Sequence, residues 1–544
     1  MPTTPPRWAS SILPLTIGAV LGANVLTMSV ANFFEVPTTA IAFIYLASLA
    51  VCAWLFVRSG VGFPSLSGRE HLLCVAVGLV LFLPRAPYLL EGVLGYAVNA
   101  ACPDDWSHIQ ELASMVHSDR YPVRTTFDRA MLLGFYYAAW MPGAAMFSAA
   151  SAAGVTSTVK LSLGLTILLY SLAFAYAIAY MAKILFAERW LQVTCAVAGL
   201  LYGGFDFLWW LARDYPVPTT GAEWWAMEFG FFVQFSNFIT LAQWVPHHLV
   251  AALAIGFALY VMHGATRMSA WLLAGLLFLS AVFSSAFVAL GAVPLVTWFF
   301  VRHSSPSAVA TTTAVFAVSS VPLWWIYLGK EEVGFRILGA LSPERRAHLL
   351  VAVGVFLIVM LLEFLPLLMA AFVGLKHRPA SAWLLAGAVA YLLSTFVVAY
   401  SGFNNYAMRG SIVPIFTLTV LAVPALAAWW RNGSIVLRAW LVVYLLGSPL
   451  AYAAFARGAL EQFATSRTEF NAAALGSNTG SGTVTDPALV ERSAQHPMGW
   501  YLLERNKPSR KERIEEIDLE LMTSDSRLRF TLARLFDALR PSRY

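Results

Sequence analysis

The stretch LSLGLTILLYSLAFAYAIAY, residues 161–180, decides the fold class of this chain. Its 20 residues include no aspartate, glutamate, lysine or arginine. As an α-helix the stretch would be about 30 Å long, which matches the hydrocarbon thickness of a bilayer. Similar apolar blocks recur at residues 249–262, 349–362 and 383–399. Because the interior of a bilayer offers no partner to backbone polar groups, these blocks are expected to form helices.

The composition of the whole chain agrees with that of a membrane protein. Of its 544 residues, 59% are hydrophobic and only 12% are charged. A soluble domain carries about 25% charged residues, so a soluble globular enzyme is excluded. The formal net charge of +6 is small for this length, and no basic stripe suited to nucleic acid is present. Nucleic acid is therefore not an expected partner, whereas the lipid bilayer is.

The apolar blocks predict an all-α polytopic membrane protein with about 13 transmembrane helices, and with interfacial helices in the first large outer loop. The predicted spans are residues 11–31, 37–57, 71–90, 161–182, 190–211, 247–263, 269–284, 286–301, 308–328, 349–373, 381–400, 411–429 and 436–456. A further apolar segment, 131–152, is rich in glycine, alanine and aromatic residues. It either crosses the membrane or lies as a helix in the interface.

The distribution of charge between the loops favours the interfacial placement of 131–152. With that placement and a cytoplasmic N-terminus, most basic loop residues fall inside, as the positive-inside rule requires. The basic residues of the inner loops are then Arg58, Arg69, Lys183, Arg189, Arg267, Arg302, Lys376, Arg378, Arg431 and Arg438. The acidic residues of the outer loops are Asp104, Asp105, Glu111, Asp119, Asp128, Asp214, Glu223, Glu228, Glu331 and Glu332. A span at 131–152 would move the later basic loops outside.

This arrangement predicts two regions. Residues 1–456 form the transmembrane domain, in which 90–160 is the outer loop with interfacial helices. Residues 457–544 form an extracytoplasmic tail, because an odd number of spans places the two termini on opposite sides of the membrane. The tail contains a Gly/Ser/Thr linker at 476–485, and the helix-like spacing of its apolar residues predicts short helices.

The clearest local signal for chemistry is the pair Asp104–Asp105 in the segment CPDDWSHIQ, residues 102–110. The pair follows a predicted span and opens an amphipathic stretch at 106–116. Adjacent carboxylates at a helix start can bind a divalent cation such as Mg²⁺ or Mn²⁺, or one of them can act as a general base. Aspartate is also a preferred helix cap, so a structural role stays open. No cluster of ligand residues in the sequence requires a metal.

Four further candidates lie towards the outer face. His247 and His248 open a predicted span there, and either imidazole is a candidate donor to a leaving phosphate. Adjacent side chains point apart on a helix, so we do not expect these histidines to share a metal. Asp206 lies near the outer end of a span, where an ionisable group is costly and often functional. Glu223 precedes two tryptophans, which are more typical of an interfacial aromatic belt than of a sugar-stacking site.

Arg409 lies beside Tyr406 in the segment GFNNYAMRGS, residues 402–411, at the outer mouth of a late span. An arginine on the outer side runs against the charge bias of the loops. A lipid phosphate is a natural partner, because a guanidinium group binds phosphate in a bidentate fork. The alternative is an arginine that snorkels to the headgroups. Arg124 is a weaker candidate for the same role.

The order of these features resembles the GT-C superfamily of glycosyltransferases that depend on polyprenyl-phosphate sugars. A span is followed by Asp104–Asp105 and an amphipathic stretch, then by RYP at 120–122 and GFYYAAWMPGA at 134–144. The next span ends in a basic inner loop at 183–189. In that superfamily the first large outer loop carries an acidic residue or pair and packs as interfacial helices. The resemblance covers residues 70–300, with the departure that two extra spans precede the acidic loop.

The resemblance implies transfer of a sugar from an undecaprenyl- or decaprenyl-phosphate donor to a glycan or glycolipid acceptor in cell-envelope assembly. The reaction would occur on the outer face of the bacterial cytoplasmic (inner) membrane, with Asp104 or Asp105 as the catalytic base or as a metal ligand. The predicted substrate-binding residues are Arg409, His247, His248, Asp206, Glu223, Arg124 and Tyr406. A polymerase or ligase of lipid-linked glycans, a multi-span transporter or flippase, and a scaffold protein stay as alternatives.

Overall fold

The computed structural model describes residues 12–94, 101, 103–123, 137–155, 157–203, 235–263, 265–328, 335–337, 348–377, 381–400 and 405–477. These residues are almost entirely helical. Their α-helices are α1 (Ile12–Phe33), α2 (Ile41–Ser59), α3 (Gly68–Phe82), α4 (Pro87–Leu94), α5 (Pro103–His117), α6 (Met141–Ala152), α7 (Val159–Leu185), α8 (Arg189–Leu201), α9 (Phe238–Trp244), α10 (Pro246–Met262), α11 (Met268–Ser284), α12 (Ala286–Gly291), α13 (Val293–His303), α14 (Pro306–Leu328), α15 (Leu349–Gly374), α16 (Ala382–Val397), α17 (Asn405–Gly410), α18 (Ile412–Asn432) and α19 (Ile435–Ser477).

Short 3₁₀ turns and one strand pair complete the described structure. The 3₁₀ turns are Thr38–Ala40, Leu83–Arg85, Tyr137–Trp140 and Leu375–His377. The strands β1 (Phe335–Ile337) and β2 (Val398–Tyr400) pair antiparallel, with Phe335 opposite Tyr400. The all-α prediction therefore holds apart from this small ribbon.

The long apolar helices are those of a membrane protein. Among the described residues, five helical segments are long and apolar enough to cross a bilayer: Ile12–Phe33, Thr38–Ser59, Val159–Leu185, Tyr406–Asn432 and Ile435–Leu460. A sixth is added if Leu349–Leu361 and Glu363–Gly374, which meet at an angle of 65°, form one span. Each predicted span overlaps one or two of the described helices, but several of those helices are short, and residues 204–211 of the span 190–211 lie outside the described part. The total of about 13 spans stays a prediction.

Large apolar side chains cover the outside of the bundle. On α15, Leu350 and Phe372 are 89% and 68% exposed, and on α2 Phe43 is 73% exposed. Soluble proteins rarely present such continuous apolar surface, whereas lipid solvates it. Polar side chains lie inside instead: the buried Asn24 donates to the hydroxyl of Tyr170 at 3.0 Å. A bilayer favours this distribution, in which apolar side chains cover the surface and polar side chains are buried.

The predicted span 71–90 is a broken helix. Its first part, α3, ends at Phe82, a 3₁₀ turn covers Leu83–Arg85, and α4 begins at Pro87. The break occurs here because Pro84 and Pro87 have no backbone N–H to continue the helical ladder. As a result, Arg85 lies fully buried instead of following the lipid-facing surface.

Two other segments differ in length from a typical span. The helix α6 has 12 residues, so it is about 18 Å long and too short for a hydrocarbon core of about 30 Å. This length supports the interfacial placement of 131–152, of which residues 131–136 lie outside the described part. The last helix, α19, runs without interruption through Arg457 to Ser477. The predicted division at 456/457 therefore falls within a helix.

Loops that were assigned to the same side of the membrane contact one another. On the predicted outer side, the contacts join Tyr121 N–H to the Val36 carbonyl at 2.9 Å and Ser148 Oγ to the Thr39 carbonyl at 2.9 Å. On the predicted inner side, they join Lys183 Nζ to Glu70 Oε2 at 2.7 Å and Arg267 Nη1 to the Arg58 carbonyl at 3.1 Å. The grouping of loops agrees with the predicted topology. Which group faces the cytoplasm stays a prediction.

Candidate functional site

The acidic pair lies in the first turn of α5, which begins at Pro103. Asp105 is completely buried and forms an ion pair with the equally buried Arg85. The guanidinium group donates from Nη2 to Oδ1 at 2.7 Å and from Nε to Oδ2 at 3.0 Å. This is the bidentate fork that makes an arginine–carboxylate pair both strong and directional.

Tyr88 and Gln243 complete the surroundings of this pair. The Tyr88 hydroxyl donates to Asp105 Oδ2 at 2.7 Å. Arg85 Nη1 donates to Gln243 Oε1 at 3.1 Å, and Nη2 also donates to the Gln243 backbone carbonyl. The Arg85 guanidinium carbon lies 5.1 Å from the ring centroid of Phe455. The broken span, the loop helix α5, α9 and α19 therefore meet at one arginine.

These contacts change the interpretation of Asp105. Its side chain is engaged with Arg85 and Tyr88, and it is the third residue of α5, so an ion pair replaces the helix cap considered from the sequence. Donors on both oxygens suit Asp105 to holding α5 in place better than to accepting a proton or binding a cation. Asp104 precedes it in the same turn, and only its backbone lies within the described structure.

A second buried group lies one to two turns further along α5. The Trp140 indole Nε1 donates to Glu111 Oε2 at 2.7 Å, and His108 Nδ1 lies 3.5 Å from the same oxygen. His108 Nε2 is 3.3 Å from the Trp244 carbonyl. Residues 105, 108 and 111 are spaced by about one helical turn, so they follow one face of α5. That face is buried against the segments that carry Trp140 and Trp244.

His247 and His248 belong to this second group. The His247 ring lies 5.2 Å from His108 and 5.8 Å from Trp140, measured between centroids. The rings of His247 and His248 are only 3.9 Å apart, so the expectation that the two side chains point apart is wrong. Both are almost fully buried in the first turn of α10, where packing against α5 and Trp140 brings the rings together.

Arg409 and Tyr406 lie on the short helix α17. The Tyr406 hydroxyl is 2.7 Å from Ser394 Oγ, and its ring packs at 4.9 Å from that of Tyr391. Arg409 is only 7% exposed, which disagrees with an arginine that snorkels to the headgroups. Helix α17 approaches α12 so closely that a Cβ on Gly291 would overlap the Gly410 carbonyl. This close packing fixes the position of the Arg409 backbone.

Three of the predicted site residues lie outside the described part of the chain: Arg124, Asp206 and Glu223. Within the described part of the chain, no group of three histidine, cysteine, aspartate or glutamate residues is arranged to hold a metal ion. The Asp105 carboxylate, one of the two proposed ligands, is occupied by Arg85 and Tyr88, so it does not fit a cation ligand.

The central residues of both groups were not among the predicted site residues. Arg85 was placed in an apolar span without a role, although an ionisable residue within a span is by default a candidate for function. The segment LPRAP at 83–87, in which prolines flank Arg85 and Ala86, was the signal in the sequence that the span is broken at this arginine. Glu111 was counted only as a loop acid, and Gln243 was given no role. Their buried partners are distant in sequence and cannot be inferred from spacing.

Comparisons of the chain with protein-family models, with curated proteins and with solved structures give no match.

Proposed function

We propose that this chain is a membrane glycosyltransferase that moves a sugar from a polyprenyl-phosphate donor to an acceptor hydroxyl. The observation that carries the proposal is the anchoring of α5 by the buried Arg85–Asp105 pair. This anchor holds the acidic first turn of the first large loop against the transmembrane helices. The site would face outward from the bacterial cytoplasmic (inner) membrane, with a glycan or glycolipid as the acceptor.

The chemistry divides between the two ends of the donor. A carboxylate of α5, for which Asp104 is the sequence candidate, accepts the proton of the acceptor hydroxyl as general base. The acceptor oxygen then bonds to the anomeric carbon through an oxocarbenium-like state, while the bond to the phosphate oxygen breaks. Arg409 stabilises the departing phosphate, since a guanidinium group matches its geometry. Asp105 acts as a positioning residue, and no step is assigned to a cation.

A radiolabelled transfer assay tests the proposal. Full-length protein in bilayers receives a panel of polyprenyl-phosphate sugars and membrane-extract acceptors. Wild type is expected to move label to an acceptor, and Asp104→Asn is expected to lower the rate by about 100-fold or more. Asp119→Asn is the matched control, because Asp119 is an exposed acid of the same loop. Equal loss in both variants, or no loss in either, would argue against Asp104 as the base.

A second donor arm separates the closest alternative. A polymerase or ligase of lipid-linked glycans would use an oligosaccharide on a pyrophosphate-linked carrier. Label that moves only from such a donor would assign this related activity. No transfer from any donor by folded wild type would refute glycosyl transfer altogether.

A transporter or flippase is the candidate from a different class, and one observation favours it. Helix α15 bends by 65° between Leu361 and Glu363, and Glu363 is buried at the bend. Broken helices with buried ionisable residues are typical of transporters. Movement of a fluorescent lipid-linked sugar across vesicles, abolished by Glu363→Gln and unaffected by Asp104→Asn, would establish that alternative.

A further inference from the structure

Helix α2 ends in an arginine that lies against an exposed tryptophan. The Arg58 guanidinium carbon is 5.9 Å from the centroid of the Trp54 ring, and Trp54 is 56% exposed. The large apolar side chains that α2 exposes are Phe43, Leu46, Val51, Trp54 and Val57. At about 100° per residue these positions share one face of the helix, and Arg58 continues that face. The face is therefore an apolar stripe that ends in a cation–aromatic pair.

A second guanidinium group lies at the same helix end. Arg267, which directly precedes α11, donates from Nη1 to the Arg58 carbonyl at 3.1 Å. Gly60 caps α2 in the left-handed conformation, with φ at 72°, and a Cβ there would lie 3.0 Å from Arg267 Nη1. The glycine thus lets the arginine close over the last turn of the helix. Two exposed positive charges from separate helices meet at this place on the surface.

Neither of these charges forms an ion pair with an acid in the described part of the chain. By contrast, the nearby Lys183 is paired, with Nζ 2.7 Å from Glu70 Oε2. The bond to the Arg58 carbonyl uses one of the five N–H donors of Arg267, which leaves four for a ligand. Two adjacent guanidinium groups repel each other unless an anion lies between them, and their paired N–H donors match a phosphate.

The segment that carries these groups is fixed in place. Phe63, in the loop that follows α2, is buried, with its ring centroid 4.7 Å from that of Tyr260 and 5.7 Å from that of Phe56. The Tyr260 hydroxyl also donates to the Gly62 carbonyl. These contacts attach the loop to the end of α10, which leads into Arg267. The two guanidinium groups are therefore positioned before a ligand binds, which lowers the entropy cost of binding.

We propose that Arg58, Arg267 and Trp54 form a binding site for an anionic phospholipid. The guanidinium groups hold the headgroup phosphate, the indole lies in the interface where tryptophan is enriched, and an acyl chain follows the α2 stripe. From Phe43 to Trp54 the stripe is about 17 Å long, and one leaflet offers about 15 Å of hydrocarbon. A phospholipid satisfies the charges and covers the stripe at once, whereas a soluble phosphate would satisfy only the charges.

This lipid site is separate from the proposed transfer site. Thr38, just before α2, donates to the Ser118 carbonyl beyond the end of α5 at 2.6 Å. Arg58 lies at the opposite end of α2, which has 19 residues and is about 28 Å long. The inference therefore does not depend on sugar transfer.

Photo-crosslinking in vesicles tests the inference. Full-length protein is placed in phosphatidylcholine vesicles with a trace of phospholipid that has a photoactivatable acyl chain and a phosphatidylglycerol or phosphatidylcholine headgroup. Adducts are mapped by mass spectrometry to the peptide that contains α2. Wild type is expected to give at least about 5-fold more α2 adduct with the phosphatidylglycerol probe. Arg58→Gln and Arg267→Gln should each lower this excess by about 5-fold, the contribution of one basic residue at a membrane surface.

Arg69→Gln is the matched control, because Arg69 is exposed on the same predicted inner side, in the first turn of α3. It should leave the excess unchanged. Because the Arg58 side chain lies on the surface, Arg58→Gln should remain folded even if Arg267→Gln does not. Equal adducts with the two probes in wild type, an excess that survives Arg58→Gln, or an equal loss in Arg69→Gln overturns the inference. So does an excess that millimolar inorganic phosphate abolishes at constant ionic strength, which would assign the arginines to a soluble phosphate.

Discussion

The Arg85–Asp105 pair gives the most direct quantitative prediction. Arg85→Met would remove the two guanidinium hydrogen bonds, at 2.7 and 3.0 Å, to the buried Asp105 carboxylate. Of the donors described above, only the Tyr88 hydroxyl would remain. Removing one partner of a buried pair costs about 3–5 kcal/mol of folding free energy. Replacing both partners by apolar residues is often close to neutral. We therefore expect the double variant Arg85→Met/Asp105→Leu to be more stable than Arg85→Met alone.

The buried cysteines provide the assay. In a Cys102→Ser background the remaining thiols, Cys52, Cys74 and Cys195, are buried inside the bundle, so a fluorogenic maleimide reacts with them only on unfolding. Reaction is followed during denaturation of wild type, both single variants and the double variant. The double-mutant cycle should give a coupling energy of about 3 kcal/mol between the two positions.

Glu70→Gln is the matched control for this series. The Lys183–Glu70 pair has the same 2.7 Å separation, but its side chains are 19% and 37% exposed. Exposed pairs contribute about 0–1 kcal/mol, so this variant should unfold close to wild type. If Arg85→Met unfolds like Glu70→Gln, or if the double variant is no more stable than Arg85→Met, the buried pair is not what anchors α5.

Three further predictions follow from other parts of the structure. Burial lowers the pKa of His117, so below about pH 6.5 the unfolded chain binds a proton more readily than the folded protein does. Acidification should therefore lower the unfolding temperature, and it should lower that of His117→Phe by less. Gly291→Ala should displace α17 and reduce sugar transfer, because its Cβ would overlap the Gly410 carbonyl, whereas Gly256→Ala, which meets nothing within 4 Å, should not. In a Cys102→Ser background, an impermeant maleimide applied to intact cells should label Ser118→Cys but not Ser304→Cys; the reverse result would invert the proposed topology.

The positions of the helices could be predicted from the sequence because lipid selects on the length and polarity of local segments. The span predicted at 247–263 is α10, Pro246–Met262, and the span predicted at 269–284 is α11, Met268–Ser284. Proline explains where a predicted span is not one continuous helix. The spans at 71–90 and 286–301 are each interrupted where a proline removes a backbone donor, near Pro84 and Pro294.

The contacts of the site could not be predicted in the same way. Asp104–Asp105 was recognised because its two members are adjacent, but the partner of Asp105 lies 20 residues earlier and Gln243 lies 158 residues from Arg85. Nothing in local periodicity couples such positions. The histidine pair was misjudged for a related reason: ideal helix geometry separates neighbouring side chains, whereas tertiary packing brings these rings to 3.9 Å.

The cost of burying an ion pair bears on the role proposed for the Arg85–Asp105 contact, which is to position α5 in the proposed site. Well-packed apolar residues often stabilise such a junction equally well or better. A guanidinium fork differs from apolar packing in being directional, since it fixes the angle as well as the distance of the carboxylate. A loop helix that only covered the bundle would tolerate sliding by a fraction of an ångström. A helix that presents a reacting carboxylate must be held to within about 0.5 Å, and bonds from Arg85 to both Asp105 and Gln243 restrict it in that way. Stability and positioning are separate properties of this pair, and only positioning requires charge.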